Sequence, residues 1–148
     1  MLIRTGLIIV IAVVVFTNNA RAYAQESLTL TVVVSGATPR TGQALGSLFD
    51  SKETYLNNPV RETIVAIDNT GRATLTFDGL GTGIYAVSVI YDEDADGELD
   101  TGFLGIPTEL IAMSNNAKGR FGPPGFEKTR FELKSSKTIE IYFVKAKD

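Results

Sequence analysis

Six of the nine residues from Asp92 to Asp100 carry carboxylates: Asp92, Glu93, Asp94, Asp96, Glu98 and Asp100. Counted from Asp92, aspartate stands at positions 1, 3, 5 and 9, with Gly97 at position 6. That register suits a hard cation. Calcium takes roughly six to eight oxygen ligands at about 2.3–2.6 Å, and alternate carboxylates on a tight loop can converge on one point. Gly97 permits the sharp turn, and the Glu98 carbonyl can serve as the position-7 ligand. Leu99 is expected to point into the core and fix the loop. The expected metal ligands are Asp92, Asp94, Asp96, Glu98 and Asp100, and the expected cofactor is Ca2+.

The motif departs from an EF-hand. Position 12 is Phe103 rather than a bidentate Glu, and no helices are predicted on either side. It resembles the Asp-rich loops of thrombospondin type 3 repeats, in which a later Asp completes the shell; Asp100 holds that place here. Losing a bidentate ligand predicts weak binding, with Kd on the order of 10⁻⁴ to 10⁻³ M. The competing reading is a solvated acidic turn. Each carboxylate pair about 4 Å apart costs roughly 1 kcal/mol even in water. The 1-3-5-Gly-9 register favours the ion. Magnesium fits less well, because it prefers few protein ligands. The ion's expected role is structural, pinning the following segment to the strand before it.

Other chemistries are sparse. The chain has no His and no Cys, which removes His-dependent triads, thiol nucleophiles and disulfides. A carboxylate pair for glycoside hydrolysis can be drawn from Glu109 with Asp100 or Glu127, but no sequence signal sets their separation. The chain is therefore not expected to be an enzyme. Tyr91, Phe103, Phe121 and Phe126 border the acidic loop or follow it; they are expected to fill the open end of the fold rather than stack on a ligand. Lys118, Arg120, Lys128 and Arg130 are expected to be solvated.

The elements that must hold this loop are strands. Apolar residues recur with period two in Leu28–Ser35, and further strands are predicted over 44–49, 62–67, 73–77, 84–91, 129–133 and 138–144. Gly46 suggests a bulge or a close backbone approach. Asp68-Asn69-Thr70-Gly71 reads as a hairpin turn. The 84–91 strand is apolar on both faces and belongs in the centre. No helix is convincing. Residues 92–128 show no period, and a loop that long in a compact domain is usually functional or disordered. Its glycines, prolines and aromatics indicate an ordered excursion capping one end. The expected fold is all-β, an Ig-like or transthyretin-like β-sandwich of about seven antiparallel strands.

The N-terminus adds a location. Arg4, the apolar run Leu7–Phe16 and the Ala22-Tyr23-Ala24 site form a secretory signal-peptide arrangement. The run is too short for a membrane span of about 20 residues. The expected division is residues 1–24 as signal peptide and 25–148 as one domain, periplasmic or secreted. Cleavage removes Arg4 and Arg21 and no acid, which moves the net charge from −3 to −5. That balance argues against nucleic acid and anionic lipid as partners. Membrane contact is expected only through an uncleaved signal peptide.

Several motifs, in order, carry a resemblance. They are Leu80-Gly81-Thr82-Gly83-Ile84-Tyr85-Ala86-Val87, the acidic loop, Leu104-Gly105-Ile106-Pro107-Thr108-Glu109, Ser114-Asn115-Asn116-Ala117 and Phe121-Gly122-Pro123-Pro124-Gly125-Phe126-Glu127. Together the chain resembles a bacterial family known as domain of unknown function 2141. The resemblance implies a secreted or periplasmic protein without a settled activity. The Leu80–Tyr85 piece also resembles transthyretin-like and carboxypeptidase-regulatory-like sandwiches. The functional expectation is a non-catalytic, calcium-stabilised binding or accessory module of the bacterial envelope, with a glycan or an envelope protein as partner. The alternative is a purely structural domain with no small ligand. A binding module should leave an aromatic-lined concavity of about 300–1,000 Å³, and an accessory domain a flat apolar patch or bare edge strand.

Overall fold

The computed structural model describes residues 27–120 and 122–145. The expected signal peptide, residues 1–24, lies outside them, as does Phe121. The described residues are nearly all β. They form β1 (Leu28–Ser35), β2 (Gln43–Phe49), β3 (Arg61–Ala66), β4 (Arg72–Leu80), β5 (Gly83–Asp92), β6 (Leu110–Met113), β7 (Phe131–Leu133) and β8 (Lys137–Tyr142). A one-turn helix, α1 (Phe126–Thr129), precedes β7.

Two sheets result. One has the order β4-β1-β8; the other has the order β3-β2-β5-β6, with β7 also paired to β5. Period-two patterning explains the core between them. Leu28, Leu30, Val32 and Val34 of β1 are buried, as are Ala73, Leu75 and Phe77 of β4. From the facing sheet come Ala44 and Leu48 of β2 and Val87, Val89 and Tyr91 of β5. A smaller cluster of Phe49, Tyr55, Ala86 and Phe126 closes the other face of β5. The Tyr55 hydroxyl donates to the Pro124 carbonyl at 2.8 Å, which ties down the polar 50–59 connection.

Several expectations are corrected. About seven strands are expected and the described residues hold eight; the addition is β6, inside the 92–128 excursion. Its run Leu-Ile-Ala-Met is too short to show a period. Not every pair is antiparallel, since β1 and β8 run parallel. The turn at Asp68–Gly71 forms, but it is not a hairpin, because β3 pairs with β2 and β4 pairs with β1. The chain crosses between sheets there, as it does between β1 and β2, between β4 and β5, and between β7 and β8. Such crossings bring β8 to the free edge of β1 in the parallel sense. Thr129 ends α1 instead of starting a strand.

Gly46 is a close approach. A Cβ at that position would collide with Leu75 Cδ2 of the opposite sheet. The two sheets also join along one side: Ile111 of β6 and Val144 exchange backbone hydrogen bonds at 3.0 and 2.9 Å.

Two outcomes are expected. Gly46→Ala should destabilise the fold by about 1–3 kcal/mol through overpacking, read from urea unfolding. Asp68 accepts from the Thr70 hydroxyl and from the Thr70 and Arg72 amides, and these hold its carboxyl below the usual range. A lowered folded value adds stability above the unfolded value of about 3.9, and that stability is lost as pH falls through the folded one. Asp68→Asn should therefore flatten the acid limb of a Tm-against-pH curve below about pH 4.

Candidate metal centre

The acidic loop starts where β5 ends. Tyr91 faces the core and Asp92, one residue on, takes the opposite face, as strand alternation requires. Asp92 is nevertheless fully buried. Its Oδ2 accepts from Gln43 Nε2 at 2.7 Å and from the Gly97 amide at 2.9 Å, and its Oδ1 from the Asp96 amide at 3.2 Å. Burial alone would raise its pKa, but these hydrogen bonds, with one from the Ala95 amide, outweigh burial and hold it below the usual range. Gly42 makes the arrangement possible: a Cβ there would collide with the Asp92 carbonyl and the Glu93 backbone. The loop turns through positive φ at Ala95 (61°) and Gly97 (86°). The Asp96 carboxylate accepts from the Glu98 amide at 2.8 Å.

The chain then doubles back. The Gly102 amide donates to the Ile106 carbonyl at 2.8 Å, and the Thr108 amide to the Asp100 carbonyl at 3.0 Å. This fold-back delivers Glu109, at the head of β6, to the acidic loop. Its two oxygens accept from the amides of Glu93 at 3.2 Å and Asp100 at 3.1 Å. Burial, with the charges of Asp92 and Asp100, raises the Glu109 pKa despite those donors. Asp94 is likewise raised, by desolvation and then by the charge of Asp96.

Carboxylate oxygens of Asp92, Asp94 and Asp96 lie within 4.8 Å of one another, and so do those of Asp94, Asp100 and Glu109. Four of the five expected ligands thus come together. The fifth, Glu98, is expected to bind through its backbone carbonyl; its carboxylate belongs to neither group. Glu109 is not among the expected ligands, although the sequence pairs it with Asp100 as a candidate carboxylate pair; the structure brings it to Asp94 and Asp100. Leu99 does not anchor the loop: it is 39% exposed. The anchor is Asp92 instead, buried and held by Gln43 and the loop amides. Tyr91 and Phe126 are buried as expected, but Phe103 is 89% exposed at the tip of the fold-back beside Leu104. Arg130 pairs with Glu127 at 2.6 Å.

A cavity of about 570 Å³ opens beside the loop, bordered by Glu93, Asp94, Asp100, Glu109, Lys145, Tyr91, Leu110 and two threonines. It is charged rather than aromatic-lined. Lys145 reaches it because the Ile111–Val144 pairing places the residue after Val144 beside β6.

The segment after β6 is riveted by side chains. Ser114 is fully buried; its Oγ accepts from the Val87 amide at 2.9 Å and donates to the Thr129 carbonyl at 2.6 Å. Asn115 Nδ2 donates to the carbonyls of Lys128 and Arg130, and Asn116 Oδ1 accepts from the Tyr142 amide at 3.0 Å. Ser114-Asn115-Asn116 therefore orders the excursion against β5 and β8. The family model for uncharacterized proteins conserved in bacteria (DUF2141) matches residues 32–141. The chain belongs to this family. That match spans β1 to β8, including the acidic loop, the fold-back and the Ser-Asn-Asn rivet. No curated protein and no solved structure matches the chain.

The raised carboxyls set a pH response for the DUF2141 chain. A folded value above the unfolded one gives stability that is present below the unfolded pKa and lost as pH rises through the folded one. With no His to titrate between about pH 5 and 8, Tm in chelator is expected to climb as pH falls through the raised folded values of Asp94 and Glu109 toward the unfolded carboxylate range of about pH 4. It should do so less in Glu109→Gln, checked by differential scanning calorimetry.

Proposed function

We propose that this chain is an exported, non-catalytic module of the bacterial envelope whose acidic loop binds calcium. The observation that carries the reading is the convergence of Asp92, Asp94, Asp96, Asp100 and Glu109 at one end of β5. Carboxylates gathered this closely repel one another, and a hard divalent ion is the ligand that turns that repulsion into attraction. Asp92 is already clamped by four protein donors, so the more exposed Asp94 and Asp96 would supply the freer oxygens. The ion would join the end of β5 to the fold-back and stiffen the excursion. The signal-peptide arrangement of residues 1–24 supports export. Among the described residues no helix is long and apolar enough to cross a membrane. The two-sheet architecture is read as Ig-like or transthyretin-like.

The partner reading has two forms. The charged cavity beside the loop favours a small polar ligand such as a glycan, whose hydroxyls could reach both carboxylates and ion. The edge strand β3, with Ile64 62% exposed, favours an envelope protein docking by strand addition.

Calcium at about 10 mM should stabilise the protein by about 1.4–2.7 kcal/mol for a Kd of 10⁻³ to 10⁻⁴ M. For a domain of this size that is a Tm rise of about 5–10 °C. Asp94→Ala combined with Asp96→Ala should abolish the rise while the protein stays folded. A thermal scan with no difference between calcium and chelator would sink the assignment.

A further inference from the structure

The strand β3 forms one edge of the larger sheet. The Ile67 amide donates to the Gly42 carbonyl at 3.2 Å, which sets the phase of the β2–β3 ladder. Backbone groups along an antiparallel strand face the partner and the other side by turns. Arg61, Thr63 and Val65 therefore pair with β2, and the amides and carbonyls of Glu62, Ile64 and Ala66 face the open edge. All three residues are exposed. Other edges among the described residues differ. Val144 pairs with β6, and Asn116 meets the Glu140 carbonyl and the Tyr142 amide along β8. The edge strand β4 turns Arg72, Thr74, Thr76 and Asp78 to solvent.

An apolar row on the outward face of the larger sheet runs up to this edge. Ile64 stands beside Leu45, Leu45 beside Ile90, Ile90 beside Ile111, and Ile111 beside Val144. Strand alternation turns the row away from the core, because the neighbouring Ala44, Val89 and Ala112 face inward. The row belongs to neither buried cluster. Leu45, Ile90, Ile111 and Val144 are half-buried, and Ile64 at its end is 62% exposed.

We infer that a second copy of this chain covers the edge, β3 pairing antiparallel with β3 of the copy about a two-fold axis at Ile64. The pairing rests on the reading of β3 as a docking edge, gives that edge its partner, and needs no ion at the acidic loop. Self-complementarity selects the occupant. A two-fold axis relating adjacent antiparallel strands runs perpendicular to the sheet, so the two apolar rows lie on one face and join end to end. With Ile64 opposite Ile64 of the copy, Glu62 lies opposite Ala66, and every open amide and carbonyl of the three residues meets a partner. Other registers are worse. Moving Glu62 opposite Ile64 brings Ala66 to Val60, whose amide already donates to the Leu48 carbonyl. Moving it opposite Glu62 or Asp68 sets like charges against each other. A bare edge with an exposed apolar residue invites such pairing.

Sedimentation velocity of the purified protein in chelator, over a series reaching millimolar chain, tests this. A monomer should pass to a dimer as concentration rises. Ile64→Lys should stay monomeric, because it places two like charges on the axis. Ala66→Pro should weaken dimerisation by about tenfold; its amide faces the open edge, so the fold keeps its own hydrogen bonds. Both variants should keep the natural circular dichroism spectrum. The chain has no cysteine of its own, so mild oxidation reads the register. Ile64→Cys should link into a dimer, since directly paired Cα atoms lie about 5.5 Å apart, whereas Glu62→Cys should not. A monomer at every concentration overturns the self-pairing and leaves an envelope protein as the occupant of the edge. A dimer that survives Ile64→Lys, or that links Glu62→Cys as readily as Ile64→Cys, also overturns it.

Discussion

A carboxylate taken out of water must find hydrogen-bond donors or give up its charge. Asp92 finds them in one side chain and the amides of its own loop. Everything distinctive about this end of the molecule follows from that requirement. The amides of Asp96 and Gly97 can reach Asp92 only if the chain turns at once after β5, and the turn forces positive φ at Ala95 and Gly97. Gln43 can reach it only because Gly42 lets the start of β2 lie against the Asp92 and Glu93 backbone. The loop is thus held from within before any ion is considered.

The remaining acids are a consequence of that clamp. Once Asp92 points inward, Asp94 and Asp96 are carried round on a tight arc, and the fold-back through Thr108 returns Glu109 to meet Asp94 and Asp100. Burial and mutual charge then raise Asp94 and Glu109, whereas the donors around Asp92 lower it. Neighbouring carboxyls are pushed in opposite directions by their surroundings, and the raised pair lies on the cavity side. The proposed cation would relieve the same repulsion that lifts those two.

The excursion shows how a long segment without period can be ordered. Its backbone groups are satisfied mainly by side chains and short fold-backs. Ser114 takes over the pairing of Val87 between the stretches where β6 and β7 pair with β5, and Asn116 extends the free edge of β8. Aromatic packing of Tyr55 on Phe49 and Phe126, with ring centroids 5.4 and 5.6 Å apart, anchors its far end. The exposed pair Phe103 and Leu104 lies at the tip, between the Gly102–Ile106 and Asp100–Thr108 backbone hydrogen bonds of the fold-back.

The strands β1, β2, β3, β4, β5 and β8 were legible in the residues themselves, since alternation of apolar and polar side chains is a local property that survives any choice of partner. The same holds for the acidic register of 92–100 and for Gly46 as a point of close contact. Which strand pairs with which was not legible. Asp68–Gly71 looks the same whether it closes a hairpin or crosses between sheets, and nothing in Lys137–Tyr142 announces a parallel partner. Nor could spacing reveal that Glu109 and Lys145 meet the acidic loop, because their approach depends on a fold-back and on a strand pairing 33 residues apart, Ile111 with Val144. Local patterning determined the strands and the acidic register; long-range packing alone decided which charges face one another.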